Sequence, residues 1–133
     1  MSETAQQTAG KLGEDAAAAY YKSQGYTVVA RNVHISHNEI DLIVEDEYGI
    51  SFVEVKARRQ IYGVRTPYGR PAIAVNAAKR ARTVQAVTEY LRRHPTTKQP
   101  RIDVVEVYLA KRFDGTLTVT KVVPFRNAFG ANG

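Results

Sequence analysis

The chain of 133 residues contains no cysteine. That removes disulfides, thiolate zinc sites and cysteine nucleophiles together, and it suits a cytoplasmic setting. No apolar run approaches the ~20 residues that a helix needs to span a bilayer, so no membrane partner is expected. Met1 to Gly10 is polar and lacks the apolar stretch of a secretory signal. Internal repeats, low-complexity tracts and interdomain linkers are absent from the sequence as well. What remains is the expectation of one soluble domain over 1–133, large enough to bury its own core. Residues 1–7 and 124–133 are expected to be loose ends, with Phe125 and Phe129 able to pack back.

The net charge is +6, with 44% hydrophobic and 24% charged residues. Basic character alone is weak evidence for an acidic partner, and its distribution carries more. From Val55 to Thr88 there is no Asp or Glu, while Lys56, Arg58, Arg59, Arg65, Arg70, Lys79, Arg80 and Arg82 fall there. From Glu39 to Glu54 there are six acids and no Lys or Arg. An acidic knot next to a long basic segment is the pattern to be explained.

Thr4-Ala5-Gln6-Gln7 fits a capping box, and Leu12, Ala16, Ala19 and Tyr20 recur at helical spacing up to Gly25. A first helix is expected from about Ala5 to Gln24. Thr27–Arg31, Glu39–Glu45 and Ile50–Ala57 read as strands, the last two joined by Asp46-Glu47-Tyr48-Gly49. Arg58 to Pro71 holds Gly63, Pro67, Gly69 and Pro71 and reads as a long loop. Asn76 can cap a second helix to about Arg93, with Ala77, Ala81, Val84, Val87 and Leu91 as its apolar stripe. Ile102–Ala110 reads as an alternating strand, Asp114-Gly115 as a turn and Leu117–Val123 as the last strand. The order αβββαββ predicts an α/β domain with a mixed sheet.

The chemistry concentrates in the second and third strands. Alternation puts Glu39, Asp41 and Ile43 on one face of the first of these, and Phe52, Glu54 and Lys56 on one face of the second. A tight turn at Asp46–Gly49 pairs residues whose numbers sum to 95, so Asp41 falls opposite Glu54 and Glu39 opposite Lys56. Opposed Cβ atoms lie roughly 4.5–5.5 Å apart, where a bare pair of carboxylates is repulsive. A hard divalent cation reverses that sign, because Mg²⁺ takes one or two carboxylates together with phosphate oxygens. Ile40, Leu42, Val44, Val53 and Val55 form the opposite, core-facing side. Lys56 adds a cation able to position a water or to stabilise charge on a phosphate. The competing interpretation is a solvated strand face on which Glu39 and Lys56 form a surface ion pair of little worth.

Elsewhere the alternatives are balanced. The loop interleaves arginines with Tyr62 and Tyr68, which suits phosphate contact and base stacking or simply a solvated loop. Arg58, Arg59, Arg65 and Arg70, with Lys79 and Arg82 at i and i+3 on the second helix, are the candidate nucleic-acid contacts. His34 and His37 lack the further ligands that zinc requires and read as polar loop groups or phosphate contacts. Asp103 reads as a structural residue opening a strand.

Asn38-Glu39-Ile40-Asp41-Leu42-Ile43 followed by Phe52-Val53-Glu54-Val55-Lys56 resembles the core of the PD-(D/E)xK nucleases, with spacing like that of archaeal Holliday-junction resolvases. More closely, the chain resembles the YraN family of small bacterial proteins. Gly13-Glu14, Gly25-Tyr26, Arg31-Asn32, Lys79 and Asp103-Val104 extend that match across Gly10 to Tyr108. Ile40 stands where the motif has its namesake proline, and Asn38 replaces a usual glycine. The resemblance implies a restriction-endonuclease-like fold with Mg²⁺ or Mn²⁺ held by Asp41 and Glu54. It further implies Lys56 as the catalytic lysine, Glu14 as an additional carboxylate from the first helix, and DNA as the partner. Resolvase-like nucleases cut two strands as dimers, which is compatible with a homodimer here. The expected activity is metal-dependent hydrolysis of DNA phosphodiesters. The alternatives are a non-catalytic nucleic-acid-binding module on the same fold and a protein-interaction scaffold with a vestigial site.

Overall fold

The computed structural model describes residues 5–59 and 77–128. Its elements run α1 (Ala5–Ser23), β1 (Thr27–Ile35), β2 (Asn38–Glu45), β3 (Gly49–Arg59), α2 (Ala77–Arg93), β4 (Gln99–Lys111) and β5 (Leu117–Phe125). This is the expected αβββαββ order. The strands lie in one sheet in sequence order, all neighbours antiparallel except β3 and β4. That parallel pair follows from the connection: a parallel neighbour needs a crossover, and α2 lies in the chain between β3 and β4.

Each face of the sheet buries its own cluster. On one side α1 packs Ala17, Ala18 and Tyr21 against Leu42, Val44, Val53, Val105 and Val107. On the other, α2 packs Ala86, Val87 and Tyr90 against Ile43, Phe52, Ile102 and Val104. With both faces covered, β4 is buried at every position from Ile102 to Ala110. The expected alternation of apolar and polar surroundings therefore does not hold there, and Asp103 and Glu106 are core residues at 0% and 1% exposure.

α1 ends in a Schellman motif. The Tyr26 N–H donates to the Tyr21 carbonyl (3.0 Å) and the Gly25 N–H to the Lys22 carbonyl (3.1 Å). Gly25 sits at φ 89°, a conformation that a Cβ would strain. The turn brings the Tyr26 ring edge-on to Tyr21, with centroids 5.4 Å apart. The Tyr21 hydroxyl then donates to Asp103 Oδ2 (2.7 Å), and Arg101 Nε donates to both Asp103 oxygens (3.0 and 3.1 Å). Arg101 also donates to the Tyr26 hydroxyl (2.8 Å). The network joins α1, the turn after it and β4. Asp103 is thus structural, as expected, but as the centre of a buried network rather than at the opening of a strand.

Several local expectations are corrected. Arg58 and Arg59 close β3 instead of opening a loop, because β4 offers that edge a partner as far as Arg59 opposite Leu109. The tail is not loose as far as it is described. Pro124 and Phe125 pair with Val105 and Val104, and the Ala128 N–H donates to the Ile102 carbonyl (2.9 Å). Within α2, Ala77 and Ala81 are exposed, and the packed stripe starts at Val84 and takes in Ala86, Val87 and Tyr90. Ile40 belongs to the α2-side cluster, not to the face it was expected to share with Leu42. Thr4, Asn76, Arg65, Arg70, Tyr62, Tyr68 and Phe129 lie outside the described residues.

Candidate metal and phosphate site

The turn between β2 and β3 sets the geometry of everything beyond it. Asp46 Oδ1 accepts the N–H groups of Tyr48 (3.0 Å) and Gly49 (2.8 Å), and the Asp46 N–H donates to the Gly49 carbonyl (3.0 Å). A turn closed by its own side chain fixes the register. Glu45 faces Ile50, Val44 faces Ser51, Ile43 faces Phe52 and Leu42 faces Val53, so the residue-number sum of 95 holds.

Backbone pairing of these strands ends at Leu42 and Val53, one step before Asp41 and Glu54. There the Val55 N–H donates to Asp41 Oδ2 (2.9 Å). The aspartate side chain therefore replaces a ladder partner, and a cleft of about 260 Å³ opens at this end of the hairpin. Asp41, Glu54 and Glu39 line it from the strands, His37 and Asn38 from its mouth, and Lys79, Arg82 and Thr83 from α2. His37 is carried there by the two-residue turn Ser36–His37, with Ser36 at φ 55°. The first turns of α2 can reach over the cleft because Ala77 and Ala81 are not engaged with the core.

Burial pushes the Asp41 carboxyl up to about 6, opposed by the Val55 hydrogen bond and assisted by the charges of Glu14, Glu54 and Glu39. Its elevation records burial first and neighbouring negative charge second. Lys56 Nζ lies 3.3 Å from Glu54 Oε1, and Lys79 Nζ forms an ion pair with that same oxygen. Glu54 Oε2 is buried and has no hydrogen-bond partner. Partial burial and the adjoining Lys79 hold the Lys56 amine below its ordinary value, against the pull of Glu54. Burial lowers Lys79 as well, but its contacts with Glu54 and the charge of Asp41 outweigh it and raise its pKa.

Asp41, Glu54 and Lys56 thus come together, and Glu14 is near enough for its charge to act on Asp41. Glu14 itself lines a separate depression with Lys11, Asp15 and Arg31. In place of the Glu39–Lys56 ion pair of the competing interpretation, Lys56 turns to Glu54 on its own strand. Among the nucleic-acid candidates, Arg82 lines the cleft, whereas Arg58 Nε donates to Glu106 Oε2 (3.2 Å). Arg59 ends β3 and is exposed. His34 faces Glu39 across β1 and β2. Two features escaped the sequence. Lys79, grouped with the basic rim, is in direct contact with Glu54, and Glu106 is buried beside Lys56 in the β3–β4 ladder. A lone acid within Val104-Val105-Glu106-Val107 was the available signal for the second.

Two hard carboxylates, one carrying a buried oxygen without a partner, suit a hard divalent cation completed by water or phosphate oxygens. Among the described residues, no three His, Asp or Glu side chains are grouped to hold an ion by themselves.

Fold and cluster together define an α/β domain that carries carboxylates and lysines at the splayed end of a hairpin. The chain belongs to the uncharacterised protein family UPF0102, whose profile matches residues 13–107. The matched span contains Glu14, Asp41, Glu54, Lys56 and Lys79. A UPF0102 protein of Symbiobacterium thermophilum is 46% identical over 99 residues, covering 74% of this chain and 80% of its own. One from Solibacter usitatus is 45% identical over 103 residues, covering 75% and 74%. A third, from Desulfosudis oleivorans, is 34% identical over 126 residues, covering 92% and 90%. Among the described residues, no helix is long and apolar enough to cross a membrane.

Proposed function

We propose that this protein is a divalent-metal-dependent phosphodiesterase acting on DNA, with Mg²⁺ or Mn²⁺ held by Asp41 and Glu54. The observation that carries this reading is the meeting of Asp41, Glu54 and Lys56 at the point where β2 and β3 part, with Glu54 Oε2 buried and without a partner. A bound divalent ion would polarise a phosphate oxygen and acidify a water. The protein's own groups supply the rest. Lys56, beside Glu54, would stabilise charge on the phosphate as an ammonium or order the attacking water as the amine. Arg82 offers donors to the flanking phosphates, and the exposed Arg59 extends the basic surface. Glu14 adds negative charge that favours a cation near Asp41.

The test is a cleavage assay over duplex, single-stranded and branched DNA with Mg²⁺, Mn²⁺ or EDTA. Wild type should cut only with metal, and Lys56→Ala and Glu54→Gln should each lose about 100-fold or more in rate, the size of effect seen when one transition-state donor is removed. Equal residual cutting by wild type and both variants would sink the proposal. Salt-sensitive binding that survives Glu54→Gln, without turnover under any metal, would instead identify a binding module.

A further inference from the structure

We infer that Lys79 is a tethered counter-ion for the acidic cluster, holding the place of the divalent cation in the metal-free protein and giving way when the cation binds. The inference rests on the metal-site reading above.

Three observations support it. First, Lys79 Nζ and Lys56 Nζ both lie at Glu54 Oε1, although two ammonium groups on one oxygen repel each other. Negative charge offsets that repulsion: Glu54 pairs with both lysines, and Asp41 and Glu39 line the same cleft. Second, Lys79 is the third residue of α2, and the first turn of that helix carries no acid. A cation at a helix N-terminus opposes the helix dipole, so its position is explained by the carboxylates and not by the helix. Third, the two lysines are unequally movable. Lys56 stands on a strand paired on its β4 side, whereas Lys79 reaches in from the exposed first turns of α2 with its side chain 36% exposed. A dication among these carboxylates would repel an ammonium a few ångströms away, and Lys79 can swing outward without disturbing the core. Outside, it would meet the incoming phosphate, so one side chain would serve the empty and the loaded site in turn.

The experiment is calorimetric titration of the full chain with Mn²⁺ and with Mg²⁺ in the absence of DNA. Lys79→Met and Lys79→Gln should each bind the ion about tenfold more tightly than wild type, because no tethered charge competes. Lys79→Arg, which keeps the charge, should stay at or below the wild-type affinity. The neutral variants should also melt lower than wild type without metal and recover more on its addition. Equal or weaker binding by both neutral variants, with wild type still taking up metal, would overturn the counter-ion role and leave the metal site standing. Uptake that survives Glu54→Gln unchanged, or none by any variant, would overturn both.

Discussion

Asp41→Asn is expected to make the metal-free protein more stable at pH 7.5, by about 1–3 kcal/mol, while removing its metal response. The sign follows from where the proton sits. Burial, with Glu14, Glu54 and Glu39 adding to it, raises the folded-state Asp41 carboxyl to about 6, above the ordinary carboxylate value. The native state therefore holds a proton that the unfolded chain has released between about pH 4 and pH 6. Stability is unaffected below that window, falls across it and stays lowered above it. Two pKa units correspond to about 3 kcal/mol, an upper figure because the site is partly open to solvent. Asparagine keeps an oxygen to accept the Val55 N–H and carries no charge. Urea denaturation at pH 4 and pH 7.5 checks this. The variant's advantage should appear only at the higher pH, and an equal difference at both would refute the electrostatic origin.

Asp103→Ala is expected to be the costliest single change in the described core, losing about 3–5 kcal/mol, the range for breaking a buried charged pair by removing one partner. Asp103 is fully buried and accepts from Tyr21, Arg101 and the Asn127 N–H (2.9 Å). Its loss strands all three donors. Burial works to raise the Asp103 carboxyl, but the hydrogen bonds from Arg101, Asn127 and Tyr21 prevail and hold it below the usual range. Its stabilising contribution is therefore complete above the unfolded value near 4 and disappears as pH falls through the lower folded value. The gap between wild type and Asp103→Asn should accordingly be widest near neutrality and narrow in acid. Thermal or urea unfolding between pH 2.5 and pH 7 measures it. A gap that does not change with pH would mean that lost packing, not the carboxylate, is responsible.

Asp41 and Asp103 are both acids on apolar strands, yet they behave in opposite ways. Asp103 is surrounded by donors and is ionised at low cost. Asp41 has one backbone donor against burial and the charges of Glu14, Glu54 and Glu39, so the protein tolerates it at the expense of stability. The proposed cation site would account for such an expense.

How far the sequence could be read depended on how local the cause was. The β2–β3 register was legible because a four-residue turn with Asp46 at its start determines it by counting, and the observed pairs keep the sum of 95. The end of α1 was legible for the same reason, through Gly25. The apolar stripe of α2 was misplaced because Ala77 and Ala81 fit the period whether or not they meet a core. Periodicity does not report whether a partner surface is present. Nor could the strand pattern show that β4 is covered on both faces, which depends on helices from elsewhere in the chain. Tyr21 and Asp103 are 82 residues apart, and Lys79 meets Glu54 only after the crossover folds back. Spacing within a segment carries no trace of such contacts.

On the proposed function, Asp41 and Glu54 hold a divalent ion against a DNA phosphate. Linkage tests it most directly, because an ion and a phosphate that share a site must strengthen each other's binding by the same factor. Mn²⁺ affinity should be measured by titration at pH 7.5 with and without a saturating branched DNA oligonucleotide, for wild type and Asp41→Asn. DNA should tighten Mn²⁺ binding to wild type by about fivefold or more, within the usual range of coupling, and should have no such effect on the variant. Identical Mn²⁺ affinity with and without DNA, or the same coupling in Asp41→Asn, would contradict it.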